Sequence, residues 1–202
     1  MIKPFRIAAI LIFASFASPA LADYRNCTAQ QQSDIEKARV NAFDALSAAT
    51  AQITPQNGAY RTWFGRWDAV RAKFVRSTVS ALKNHIRTSK ITYVCESRGS
   101  GSCEGGTYAF VYPSDSGTIY LCAPYFELPS LSDATFLEVF NSGTRGGTII
   151  HEMSHYDNVG VTNDNCYNRD VCSDFARTSP NRAAHNADSF QYFAEDTYLK
   201  AR

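Results

Sequence analysis

The chain has 202 residues and carries 20 Lys and Arg against 19 Asp and Glu, for a net charge of +1 at pH 7. No basic tract breaks that balance, which excludes an electrostatic nucleic-acid binder and a surface steered to anionic membranes. The length suits one domain with a substantial core.

From the N-terminus, Lys3 and Arg6 precede an apolar run from Ile7 to Phe16, followed by Ser18, Pro19, Ala20, Leu21 and Ala22. A positive head, a short apolar stretch and an A-x-A end make a secretory signal peptide over 1–22, with cleavage before Asp23. A membrane anchor needs a longer run. The mature chain is then 23–202. It holds Cys27, Cys95, Cys103, Cys122, Cys166 and Cys172. An even count in an exported chain reads as three disulfides, and no C-x-x-C pair suggests a cysteine-bound metal.

Two helices open the mature domain. The first places Ile35, Ala38, Ala42, Leu46, Ala49 and Ile53 at steps of three and four. The second carries Val70, Phe74, Val75, Val79, Leu82 and Ile86 on one side, with Arg71, Lys73, Arg76 and Lys83 as a solvated face. Pro55, Asn57 and Gly58 separate the two. Three short β-prone runs follow: Ile91–Cys95, Tyr108–Tyr112 and Thr118–Cys122, divided by Gly-rich loops and the turn at 113–117. A short helix from Asp133 to Phe140 leads to a glycine-rich stretch, and another helix starts near Thr148. The last, within Asn186 to Leu199, sets Ala187, Phe190, Phe193, Ala194 and Tyr198 at helical spacing.

The helix near Thr148 carries His151-Glu-Met-Ser-His155, an H-E-x-x-H sequence that takes two of the chain's four histidines. On a helix, residues four apart share a face, so both imidazoles can reach one cation. Glu152 projects beside them, placed to act as general base on an attacking water. Ile149, Ile150 and Met153 seat the helix in the core. His85 and His185 stand apart and read as structural or surface residues.

Catalytic zinc usually takes three protein ligands. A metzincin third histidine is closed off by Asn158 and Val161, where Gly and His would be required. A later helix offers Glu195 and Asp188. Nearer lies Asp164, beyond Gly160, a natural helix terminator that lets the chain reverse, with Tyr167 just behind.

Thr162-x-Asp164-x-x-Tyr167, placed after H-E-x-x-H, resembles the aspzincins, the deuterolysins and peptidyl-Lys metalloendopeptidases. Their signature continues H-E-x-x-H with G-T-x-D-x-x-Y-G; here Val161 and Asn168 occupy the two glycine places. The segments 118–126 and 186–194 extend the similarity over nearly the whole mature domain. The resemblance implies Asp164 as third zinc ligand, Glu152 as general base and Tyr167 as hydrogen-bond donor to the oxyanion. It implies a pocket in which Asp188 pairs with a substrate lysine after the cut bond, although Gln191 stands where lysine-specific members have a second acid. Asp188 equally suits a cap on the last helix. It further implies the bridges Cys27–Cys95, Cys103–Cys122 and Cys166–Cys172.

The expectation is a single α+β, zincin-like domain: N-terminal helices, a small β-sheet and the H-E-x-x-H helix beneath it. Its function is expected to be that of a secreted, monomeric endopeptidase with one Zn2+ ion, acting on protein or peptide substrates. Nucleic acid is not an expected partner, nor is a membrane after signal cleavage. Two other readings stay open: a zinc hydrolase of cell-wall peptides, and a non-catalytic zinc-binding secreted module.

Overall fold

The computed structural model describes residues 22–202, so the expected signal peptide lies outside the described residues except for Ala22. Helix α1 (Ala29–Gln52) starts at Thr28, whose hydroxyl accepts from the Gln31 backbone while the Gln31 side chain accepts from the Thr28 N–H. This capping box satisfies two donors that a helix start leaves open. All six apolar positions expected on the inner face of α1 are buried.

The break after α1 starts a further helix, α2 (Gly58–Phe64), because the Asn57 side chain accepts from Tyr60 N. Seven residues are too few to show a period. They nevertheless bury Tyr60, Trp63 and Phe64, and the Phe64 ring lies 5.1 Å from Phe190 and 5.3 Å from Phe193. Helix α3 (Ala69–Thr88) begins at Asp68, which caps Arg71 N. Val70 is 80% exposed and is not part of its inner face, since the first turn after the cap points it outward. His85 is a buried structural histidine, hydrogen-bonded to Ser116 O and Ser89 Oγ. His185 stacks on Phe74 at 4.3 Å.

The strands are β1 (Asp23–Arg25), β2 (Thr92–Cys95), β3 (Ala109–Phe110) and β4 (Thr118–Leu121), in sheet order β1-β2-β4-β3. Pairing is parallel for β1 with β2 and for β2 with β4, and antiparallel for β3 with β4. Strand β1 was not expected, and β3 is shorter than the run 108–112 that predicts it. A 3-10 turn (Ala123–Glu127) and helix α4 (Phe136–Ser142) follow.

Helix α5 (Arg145–Ser154) starts three residues earlier than the glycine pattern suggested. The N-cap is Thr144, whose hydroxyl accepts from Gly147 N at 2.9 Å. Its glycines are interior packing residues. A Cβ on Gly146 would stand 3.1 Å from Ala38 O of α1, and one on Gly147 only 2.0 Å from Glu195 Oε1. Two further helices, α6 (Arg169–Thr178) and α7 (Pro180–Ala183), were not expected; α6 turns only Cys172, Phe175 and Ala176 inward among polar residues, and α7 is a single turn. Helix α8 (Ala187–Ala201) closes the chain. The domain is α+β, with α5 packed among α1, α8 and the sheet.

The three disulfides are Cys27–Cys95, Cys103–Cys122 and Cys166–Cys172, as the resemblance implied. The first joins residues 68 apart, tying the β1 end to β2, and the last joins residues 6 apart. Loop-closure entropy favours the long bridge, at about 4 kcal/mol against about 2 kcal/mol for the short one. Urea unfolding of a Cys27→Ala/Cys95→Ala protein is expected to show the larger loss, with Cys166→Ala/Cys172→Ala about half as destabilised; the reverse order would contradict the entropic account.

Candidate metal centre

His151 lies on the last turn of α5 and His155 one turn on, at its C-cap, with ring centroids 5.0 Å apart. Asp164 Oδ1 lies 3.2 Å from His151 Nε2 and 3.4 Å from His155 Nε2. The chain brings it there by a tight reversal. Helix α5 stops at Ser154, six residues before Gly160, so Gly160 is not its terminator. The backbone instead folds over Tyr156, whose carbonyl accepts from Val159, Gly160 and Val161, and Thr162 N returns to Ser154 O at 3.1 Å. Gly160 is needed for space, since a Cβ there would meet Ser154 O at 2.4 Å.

The outer ring nitrogens are already engaged. His151 Nδ1 meets Asp188 Oδ1 at 2.8 Å, and His155 Nδ1 meets Thr162 O at 3.0 Å. That leaves both Nε2 atoms turned to the centre, the arrangement by which outer hydrogen bonds orient metal-binding imidazoles. One ligand atom from each of His151, His155 and Asp164 lies within 4.8 Å of the others. Two imidazoles and a carboxylate are a fitting donor set for Zn2+.

Burial opposes charge on His151, but hydrogen bonds to Asp164 and Asp188 outweigh it and hold its pKa well above the ordinary range. His155 is raised through Asp164 in the same way, against the cost of burial. Asp164, though partly desolvated, is driven far down by the two rings. Metal entry therefore displaces protons. Glu152 is buried beside them, and desolvation raises its pKa.

A cavity of about 820 Å3 opens over these residues, and Tyr167, Asp188, Gln191 and the segment 105–111 also line it. Tyr167 is half-exposed, its ring centroid 6.5 Å from that of His151. Its phenol pKa is raised by burial and by a hydrogen bond to Asp164.

Residues 48–195 match the family described as lysine-specific metallo-endopeptidase, the aspzincins. The chain belongs to this family. A peptidyl-Lys metalloendopeptidase of Pleurotus ostreatus is 34% identical over 183 residues, covering 87% of this chain and 97% of the relative. An extracellular protease of Aeromonas hydrophila is 32% identical over 174 residues, covering 85% of this chain but 46% of its own length. The chain thus spans about half the length of some curated relatives. A solved zinc peptidase of Grifola frondosa superposes with a TM-score of 0.73 at 26% identity, covering 84% of this chain and 97% of that one.

In this aspzincin the two departures from glycine keep the left-handed backbone, with φ of 52° at Val161 and 68° at Asn168. Such a φ costs a β-branched residue torsional energy, and it persists only where the surroundings enforce it. Three of those restraints had no local signal in the sequence. Asn186 Oδ1 accepts from Asn165 N and Cys166 N at 2.8 and 3.0 Å. Asp188 Oδ2 accepts from Asn168 N at 3.2 Å and from Tyr192 OH at 2.9 Å. Arg169, next in the chain, gives Nη2 to Glu195 Oε2 at 2.7 Å and Nη1 to Asp196 Oδ1 at 2.6 Å. Asp188 caps no helix end in this arrangement; it holds the His151 ring and the chain beside Tyr167.

Glu195, the other acid weighed as a third ligand, is not among the three converging donors. It is fully buried and accepts from Thr144 Oγ1 at 2.9 Å and Gln191 Nε2 at 3.3 Å. Burial raises its pKa from 4.5 to about 7 against the pull of Arg169. Between about 4.5 and 7 the folded chain therefore keeps a proton that the unfolded chain has released, and this contribution to stability falls as pH rises through that window. Glu195→Gln, neutral throughout, is expected to gain stability relative to the parent as pH rises from 4.5 to 7, read from denaturation midpoints of the metal-free proteins. A constant difference would mean that Arg169 keeps the carboxylate ionised.

Proposed function

We propose that this chain is an exported zinc endopeptidase in which His151, His155 and Asp164 hold one Zn2+ ion. The observation that carries the reading is the meeting, in one cavity, of three metal donors, a buried carboxylate and a phenol. Export is supported by the three disulfides and the signal-like N-terminus.

When bound, zinc supplies a Lewis acid that polarises the scissile carbonyl and makes water a nucleophile near neutral pH. Glu152 takes a proton from the attacking water as oxygen bonds to the carbonyl carbon. It then delivers the proton to the amide nitrogen as the C–N bond breaks, and the acid's remaining proton passes to the amine, so that a carboxylate and an ammonium leave. Its raised pKa suits both halves of that exchange. Tyr167 donates its hydroxyl hydrogen to the carbonyl oxygen as negative charge develops there. For that its phenol must leave Asp164, a small movement for a half-exposed side chain. Asp188 keeps His151 in the tautomer with Nε2 free.

Strand β3 lies at the sheet edge beside the cavity. An extended substrate can therefore add to it by backbone hydrogen bonding, which suits cleavage within a chain. A lysine following the cut bond is the side chain we assign to the cavity floor. The family description and the names of the relatives support this; Asp188 and Gln191 both line the cavity, Asp188 with its two oxygens already engaged by His151, Asn168 and Tyr192. Gln191 gives its amide nitrogen to Glu195, which leaves its oxygen as an acceptor for an ammonium group.

Glu152→Gln is expected to retain zinc, measured by metal analysis, and to lose at least about 1,000-fold in kcat on a protein substrate. Parental activity in a zinc-loaded variant would end the mechanism. The cut-site profile of the parent on a peptide mixture tests the specificity. Lysine should follow most cut bonds, and an even spread of residues there would remove the lysine assignment alone.

A further inference from the structure

Helix α4 has one buried side chain, Val139. Phe136, Leu137 and Phe140 are 62%, 65% and 44% exposed, and the rings of Phe136 and Phe140 stack with centroids 6.1 Å apart. Three large apolar side chains left in water on a seven-residue helix are a cost that folded domains rarely carry without a use. The helix is also held in place. Thr135 and Glu138 form a capping box at its start. At its end Gly143, with φ of 70°, packs so closely on the cavity floor that a Cβ would stand 2.5 Å from Gln191 Nε2. The patch runs straight into the cavity: Phe140 to Gly143 line it together with His151 and Glu152.

We propose that α4 is an extended substrate subsite, in which Phe136, Leu137 and Phe140 hold an apolar side chain of the polypeptide at least two residues from the cut bond. This rests on the endopeptidase reading above. Continuity with the cavity favours a substrate as the occupant. A membrane is disfavoured because the charged residues between 130 and 144 are the acids Asp133 and Glu138, whereas membrane-lying helices are flanked by Lys and Arg. A second copy is disfavoured because three partly exposed side chains fall far short of the roughly 800 Å2 per partner that a stable dimer buries. The subsite works through apolar burial alone, so it ranks Leu, Ile and Phe above Ser or Asp without distinguishing sharply among them.

The test uses matched peptides with one cleavable bond, in which each position from four before to four after that bond carries either Leu or Ser. The parent enzyme should cut one Leu peptide, substituted at least two residues from the bond, with kcat/KM about tenfold above its Ser partner. In a Phe136→Ser/Leu137→Ser protein that ratio should fall to between about one and two. Circular dichroism and metal content would verify that the variant is folded and loaded. Absence of any such preference in the parent, or its survival in the variant, overturns the subsite while leaving the peptidase standing. A parent that sediments as a dimer and a variant that sediments as a monomer would make α4 a self-association face instead. Failure of the zinc-loaded parent to cut any peptide would take both readings down together.

Discussion

The burial of α5 governs everything around it. Residues 146 to 154 are all buried, so its imidazole and carboxylate groups cannot rely on water and must find partners inside the protein. The two imidazoles do, and their partners belong to different parts of the chain, while Glu152 stays buried beside them. Asp188 of α8 takes His151, and the carbonyl of Thr162 takes His155. Once the outer nitrogens are spoken for, the remaining ones have a single direction to face. The direction of these side chains is thus a consequence of packing a polar helix in an apolar core, and a metal ion held there would find the donors already aimed.

The loop that supplies Asp164 and Tyr167 obeys the same logic from the other side. It is exposed, so packing alone cannot hold it. Backbone amides of Asn165, Cys166 and Asn168 are instead captured by side chains of Asn186 and Asp188, and the Cys166–Cys172 bridge closes the short turn into α6. Arg169 then anchors the exit through a buried guanidinium, 4.5 Å from the Tyr192 ring. An exposed loop tethered in this way keeps its shape without a core beneath it, which is what preorganisation of a site asks of its surroundings.

Long, strongly periodic segments were legible before any coordinates. The inner face of α1 is an example, since six residues at steps of three and four can be buried together in only one way. The H-E-x-x-H pair was legible because a helix turn alone brings its members together. The roles of Asp164 and Tyr167 and the pairing of the three bridges came through family resemblance, without which Asp164, Glu195 and Asp188 all stood as candidates for the metal. Helix α2, strand β1 and helix α7 were missed because they are too short for a period, and α6 because its inner side rests on only three residues, Cys172, Phe175 and Ala176. Val70 misled because it shares the spacing of the inner face, while the first turn of α3 after the Asp68 cap turns that one position to solvent. The bonds that tie Asp188 to His151, Asn186 to Asn165, Arg169 to Glu195 and Glu195 to Thr144 join residues 21 to 51 positions apart, and such contacts leave no local trace.

The fit between Gly147 and Glu195 has a consequence for how this sequence can drift. A methyl group at 147 collides with the carboxylate at 195, so alanine cannot arrive first. Shortening Glu195 first leaves the buried Arg169 guanidinium with Asp196 alone and removes the acceptor of Thr144 and Gln191. Either opening step is penalised, and only a joint exchange restores a sound core. The pair is therefore held in an evolutionary stalemate that has nothing to do with touching substrate, and invariance at these two positions among close relatives would record steric history rather than chemistry.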